Sequence, residues 1–203
     1  MFDHNTLCVM IGDVSGKGIP AALFMAVTRT LLRMLWRKDP SPAAVLRRVN
    51  EEVARDNPRN MFVSLFCAAI DLRSAEVRYA SGGHNPPFVI RAGGEVTLVP
   101  HVKGVVVGVM EGAAFEEGRL HLGAGDALLL YTDGVTEAMN PQEELFGTER
   151  AAATLATLSQ GSGGESVEAV IRGLRAALAD FAQEAEQSDD IAMLGFRYRQ
   201  PCY

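Results

Sequence analysis

Met61-Phe62-Val63-Ser64-Leu65-Phe66-Cys67-Ala68-Ala69-Ile70, then Asp71-Leu72-Arg73-Ser74, then Glu76-Val77-Arg78-Tyr79-Ala80 is the stretch that decides the fold. A strand-like apolar run, a tight turn and a second strand-like run predict two antiparallel neighbours. The pattern continues outward. Residues 88–91 and 95–99 bracket Gly93-Gly94 as a hairpin, residues 105–109 and 119–122 add short segments, and 127–131 is a buried strand. Residues 7–11 form a strand before this block and 191–196 one after it.

Helices bracket the strands. Pro20 opens the first, as proline prefers the start of a helix, and Leu23, Val27, Leu31 and Met34 fall on one face until Asp39-Pro40 ends it. Ser41 with Pro42 starts the second, over 41–56, with Val45, Val49 and Val53 as its stripe. Both apolar stripes are expected to lie on a sheet. Gly147-Thr148 begins an Ala-rich helix, Gly161-Ser162-Gly163-Gly164 is a break, and Val167, Val170, Ile171, Leu174, Leu178 and Phe181 mark a strong amphipathic helix. No internal repeat or linker divides the chain. The expectation is one domain over 1–203, a layered α+β sandwich.

The composition narrows the function classes. The chain has 203 residues, 48% hydrophobic and 22% charged, as a soluble globular domain does. A net charge of −6 without a basic block argues against nucleic acid, and the row Arg29, Arg33, Arg37, Lys38 reads as the solvated face of a helix. Cys8, Cys67 and Cys202 form no CxxC pair; the first two sit in apolar runs as small buried hydrophobes, which suits a reducing, cytoplasmic setting. Arg29 and Arg33 interrupt the longest apolar stretch, so no membrane insertion is expected, and no signal peptide is visible. The chain enters a strand almost at once, as a piece of a longer protein would.

Three acidic positions stand at strand ends. Asp13 follows Leu7-Cys8-Val9-Met10-Ile11-Gly12 and precedes Val14-Ser15-Gly16-Lys17-Gly18; Asp133 follows Ala127-Leu128-Leu129-Leu130-Tyr131-Thr132; Asp189-Asp190 precede Ile191. Each alone reads equally as a turn aspartate. Together, carboxylates brought side by side by neighbouring strands would repel unless a hard cation lay between them. Oxygen ligands without a Cys/His cluster favour Mg²⁺ or Mn²⁺ over zinc, and such ions suit hydrolysis of a phosphate ester. Residues 12–18 lack the spacing of a phosphate loop. His84, between Gly82-Gly83 and Asn85-Pro86-Pro87, reads as a turn histidine ahead of an acid–base one. No nucleophile elbow is present.

These residues resemble the bacterial SpoIIE/RsbU-like branch of the PPM (2C-type) metal-dependent serine/threonine phosphatases. The match runs in order through Gly12-Asp13-Val14-Ser15-Gly16-Lys17-Gly18, Asn60-Met61-Phe62-Val63, Gly83-His84-Asn85-Pro86-Pro87, Tyr131-Thr132-Asp133-Gly134-Val135-Thr136-Glu137-Ala138, Phe146-Gly147 and Asp189-Asp190. The resemblance implies a four-layer α-β-β-α sandwich of two mainly antiparallel sheets. It also implies two Mn²⁺ or Mg²⁺ ions, with Asp13 as bridging ligand, the Val14 carbonyl on one ion, and Asp133 with Asp189 on the second. Asp190 could exchange roles with Asp189. The implied reaction is hydrolysis of phosphoserine or phosphothreonine, by a metal-activated water, on a STAS-domain anti-sigma-factor antagonist in a partner-switching circuit.

Two departures accompany the resemblance. The family's upstream Gly-Gly-Asp-x-x-Asp motif has no place before Asp13, and Asp3 is a poor substitute. This leads to the expectation of missing first strands and of a chain that is metal-poor, weakly active, or completed by homodimerisation. Ser15 stands where the eukaryotic branch carries a histidine proposed as general acid. The rival expectation is a phosphatase-like module that binds its partner without turnover. The two N-terminal helices offer a regulatory or dimer surface, or simply pack on the sheet.

Overall fold

The structure is a computed structural model and describes residues 5–37, 41–55, 57–160, 166–185, 187 and 189–199. Its elements are β1 (Thr6–Val14), α1 (Gly18–Trp36), α2 (Pro42–Arg55), β2 (Val63–Asp71), β3 (Glu76–Gly82), β4 (Phe88–Ile90), β5 (Val96–Leu98), β6 (Gly118–His121), β7 (Ala127–Tyr131), a 3-10 turn (Asp133–Val135), α3 (Gly147–Gln160), α4 (Val167–Ala182) and β8 (Met193–Arg197). The features expected at Asp3, Lys38, Asp39-Pro40, Asp56, Gly161–Gly164 and Cys202 lie outside the described residues. The class is α+β, with two antiparallel sheets and their helices. The chain sorts into two compact units, one holding residues up to Pro86 with Pro100–His121, the other Pro87–Val99 with the residues from Leu122 on.

The first unit is built on the sheet β1-β2-β3-β6, antiparallel throughout. Asp71 closes the β2–β3 turn, its Oδ1 accepting from the amides of Arg73 at 2.8 Å and Ser74 at 2.9 Å. On α2 the expected stripe is in place: Val45, Val49 and Val53 are buried with Leu46 and pack with Leu65, Cys67 and Ala69 of β2. Ser41 caps this helix, its Oγ accepting from the Ala44 amide at 3.3 Å and its carbonyl from the Val45 amide at 3.0 Å.

On α1 the structure corrects the expected stripe. Leu23, Val27 and Met34 are 62%, 54% and 55% exposed, and the buried face is Ala21, Thr28, Leu32 and Trp36. The helix is apolar on two opposite faces, so periodicity alone cannot choose between them. Packing chooses the face that buries Trp36 and Leu32 among Val45, Leu46 and Val49. This double-sided character also makes α1, against the expectation from Arg29 and Arg33, long and apolar enough by length and composition to cross a membrane. It is the one such helix among the described residues. The predicted strand at 105–109 is a single bridge, Val107 to Val63. Gly108, at φ +105°, ends extension there. Buried Asn50 replaces the ladder, its Oδ1 accepting from the Gly108 amide at 2.9 Å and its Nδ2 donating to the Met110 carbonyl at 2.8 Å.

The second unit is built on the sheet β5-β4-β7-β8, again antiparallel. All five residues of β7 are buried. Leu129 and Tyr131 pack with Leu155 of α3 and with Val170, Leu174 and Leu178 of α4. The Gly93-Gly94 hairpin forms as expected, with Gly94 at φ +88° and its amide donating to the Arg91 carbonyl at 2.8 Å. Beside it Asp126 accepts from Arg91 Nη1 at 2.7 Å, the Ala92 amide at 2.9 Å and the Gly123 amide at 2.8 Å. Burial alone would raise this carboxyl, but the guanidinium and the two amides outweigh it and hold its pKa below the ordinary 3.8.

Two predictions follow from the packing and the charge. Trp36→Ala lowers unfolding stability by about 3–5 kcal/mol, whereas Leu23→Ala changes it by less than about 0.5 kcal/mol, read from urea denaturation. Because the folded pKa of Asp126 is depressed, its contribution is complete above pH 3.8 and is lost as pH falls through the folded value. Asp126→Asn is therefore less stable than wild type at pH 7 and loses less of its urea midpoint between pH 5 and pH 2.5.

Candidate metal centre

Asp13 stands near the end of β1, paired in register with Ser64 of β2, while Val14 pairs with Val63. The close approach requires Gly12, since a Cβ there would lie 2.7 Å from the Ser64 carbonyl oxygen and closer still to Leu65. The Asp13 carboxylate folds back on its own backbone, Oδ1 accepting from the Val14 amide at 2.9 Å. Ser15 secures the strand end: its amide donates to the Phe62 carbonyl at 2.8 Å, and its Oγ accepts from the Phe62 amide at 2.8 Å. The hydroxyl at the position of the eukaryotic histidine thus serves as a strand clasp. Beyond it Gly16 and Gly18, at φ +82° and +79°, turn the chain into α1.

In the second unit the apolar run of β7 delivers Asp133 into a 3-10 turn, where its carbonyl accepts from the amides of Thr136 and Glu137 at 2.8 and 2.7 Å. The residues on either side bring the acidic loop to it. Thr132 Oγ1 donates to the Asp190 carbonyl at 2.8 Å and accepts from the Ala192 amide at 2.9 Å. A Cβ on Gly134 would lie 2.6 Å from the Asp190 carbonyl oxygen and 3.1 Å from that of Asp189, so only glycine lets the loop settle there. As a result, carboxylate oxygens of Asp133 and Asp189 come within 4.8 Å of each other. Asp190 contributes its backbone, its carbonyl to Thr132 and its amide to Asp189 Oδ1 at 2.7 Å.

No described lysine or arginine forms an ion pair with Asp133, Asp189 or Asp190. Two carboxylates this close without a basic partner form a donor set that suits a hard divalent cation. In the same unit a cavity of about 720 Å³ opens beside them, lined by Gly134, Met139, Ile171, Arg175, Leu178 and Asp190 among others.

Sequence reasoning passed over Ser64 and Thr132. Thr132 had a signal in its position immediately before the strand-end aspartate. Ser64 becomes visible only once the β1–β2 register is known. Thr132→Val, which removes both loop bonds and keeps the shape, is expected to weaken Mn²⁺ binding about 10- to 100-fold with the fold intact, measured by calorimetry and circular dichroism.

The profile of the SpoIIE family (Stage II sporulation protein E) matches residues 3–199. The chain is 33% identical over 135 residues to the phosphoserine phosphatase RsbU of Bacillus subtilis, covering 66% of this chain and 40% of that protein. It thus spans less than half the length of that relative. The solved RsbU and RsbW domains of a Mycobacterium tuberculosis protein superpose with a TM-score of 0.82 at 27% identity, over 98% of this chain and 55% of that one. The PP2C phosphatase domain of SpoIIE from B. subtilis matches in fold, with a TM-score of 0.81 at 19% identity over 97% of this chain and 56% of that one.

Proposed function

This chain belongs to the SpoIIE family, and from that premise we propose that it is a phosphatase domain that hydrolyses phosphoserine or phosphothreonine on a regulatory protein. The observation that carries the reading is the approach of Asp133 to Asp189 within 4.8 Å, with no basic side chain among the described residues paired to either. Asp133 and Asp189 would hold one Mn²⁺ or Mg²⁺ ion, and Asp13 with the Val14 carbonyl would hold a second. Asp190 is assigned to holding the loop. Divalent cations in such a site neutralise phosphoryl oxygens and lower the pKa of water.

The protein's own groups give that chemistry its geometry. Gly12 and Ser15 hold the Asp13 strand end against β2, and Thr132 and Gly134 hold the Asp189 loop against Asp133. Ser15 is a poor proton donor to the leaving group, because an aliphatic hydroxyl is a weak acid at neutral pH; solvent is the proton source in this reading. The cavity beside Asp190 supports a protein substrate over a small phosphoester, because it offers room to residues flanking the phosphorylated one. By its kinship with RsbU, the substrate proposed is a phosphorylated STAS-domain anti-sigma-factor antagonist in the cytoplasm. The exposed row Ile19, Leu23, Val27 and Met34 on α1 supports attachment of a regulatory segment or a second copy.

The test is Mn²⁺-dependent release of phosphate from a phosphorylated STAS-domain protein. Wild type is expected to be active, to lose activity on chelation and to regain it with Mn²⁺, and Asp133→Asn is expected to lose at least about 100-fold. A wild-type chain that binds the phosphoprotein but releases no phosphate would establish the binding-module reading instead.

A further inference from the structure

The Gly82-Gly83-His84-Asn85 turn is not used by the acidic centre, yet it is among the most tightly built segments of the first unit. A Cβ on Gly83 would lie 2.7 Å from Val106 Cγ1, one on Gly82 2.9 Å from Val107 Cγ2, and one on Gly104 would meet the Ser81 carbonyl oxygen head-on. A parallel bridge joins Gly83 to Leu65, the neighbour of Ser64. Ser81 closes the turn through His84 backbone atoms alone: its Oγ accepts from the His84 amide and donates to the His84 carbonyl, both at 3.2 Å. Any residue could supply those two groups, so closing the turn does not require an imidazole.

The imidazole is directed elsewhere. His84 is 8% exposed, and its Nδ1 lies 2.8 Å from Ser64 Oγ. Ser64 is the cross-strand partner of Asp13, which places both side chains on one face of the sheet, and its Oγ stands 3.5 Å from the Asp13 carbonyl oxygen. The peptide that carries this carbonyl has as its other end the Val14 amide, which donates to Asp13 Oδ1 at 2.9 Å. A peptide unit is a rigid plane, so turning its carbonyl turns its N–H as well.

We propose that Ser64 and His84 are positioning residues for Asp13. With the ring proton on Nδ1, His84 donates to Ser64 Oγ, Ser64 donates to the Asp13 carbonyl, and the fixed peptide plane aims the Val14 amide at the Asp13 carboxylate. The imidazole thereby sets the direction of the carboxylate through Ser64. The inference rests on the assignment of Asp13 as a metal ligand.

Mn²⁺ binding, followed by electron paramagnetic resonance, tests both levels with Asp13→Asn, Ser64→Ala, His84→Ala and His84→Asn, alongside kcat and KM on the phosphoprotein. Ser64→Ala removes one atom from a strand and is expected to stay folded while weakening Mn²⁺ binding and kcat about 10- to 100-fold, with KM within about twofold. His84→Ala is expected to match it. His84→Asn, whose side-chain amide takes the place of Nδ1, is expected to restore most of the loss. Wild-type Mn²⁺ affinity in Ser64→Ala, or a His84→Asn no better than His84→Ala, would overturn the inference while leaving the metal centre standing. Undiminished Mn²⁺ binding by Asp13→Asn would overturn the assignment of Asp13 itself.

Discussion

Like charges held at short range set the terms for this molecule. Two carboxylates within 4.8 Å raise each other's energy, and nothing in their own chemistry keeps them there. The restraint comes from the main chain. Thr132 and Gly134 flank Asp133 and receive the opposite loop through its carbonyls and an amide, so the aspartates are fixed by groups that carry no net charge. β7 makes this possible: buried along its whole length, it cannot yield to the repulsion at its end without disturbing Leu129, Tyr131 and the helices packed on them.

The first unit meets the same demand differently. The strand end that carries Asp13 is clasped from the side. Gly12 lets β1 press on β2, and Ser15 locks the last rung to Phe62. Asn57 braces the approach from beneath, donating to the Met61 and Gly108 carbonyls at 2.6 and 2.9 Å and accepting from the Met61 amide at 3.0 Å. Residues from Gly12 to Gly108 are thus tied together by a few bonds to the backbone.

Much of this was legible before any coordinates. The β2–β3 hairpin, the Gly93-Gly94 hairpin and the α2 and α4 stripes are local patterns, and each formed where the residues placed it. Asp13 and Asp133 are visible because each follows an apolar run, and Asp189-Asp190 because they precede one. Where the reading failed, information was missing from the local sequence. The outward face of α1 could not be told from the inward one, since both are apolar and only the fit of Trp36 decides. Residues 105–109 look like a strand, but glycine geometry and the side chain of Asn50 divert them. Ser64 is silent in sequence because its meaning lies in the register that sets it opposite Asp13.

The loop that carries Asp189 and Asp190 is held at Thr132 by one carbonyl and one amide, groups that every residue but proline possesses. Side chains add to that hold, Gln187 Nε2 donating to the Asp189 carbonyl at 2.8 Å, Asp189 Oδ1 accepting from the Asp190 amide at 2.7 Å and Ile191 packing on the core. Exchange of the two carboxylates for amides would leave the bonds to Thr132 in place, and with them the loop's seat over Gly134. A fold arranged in this way separates shape from reactivity.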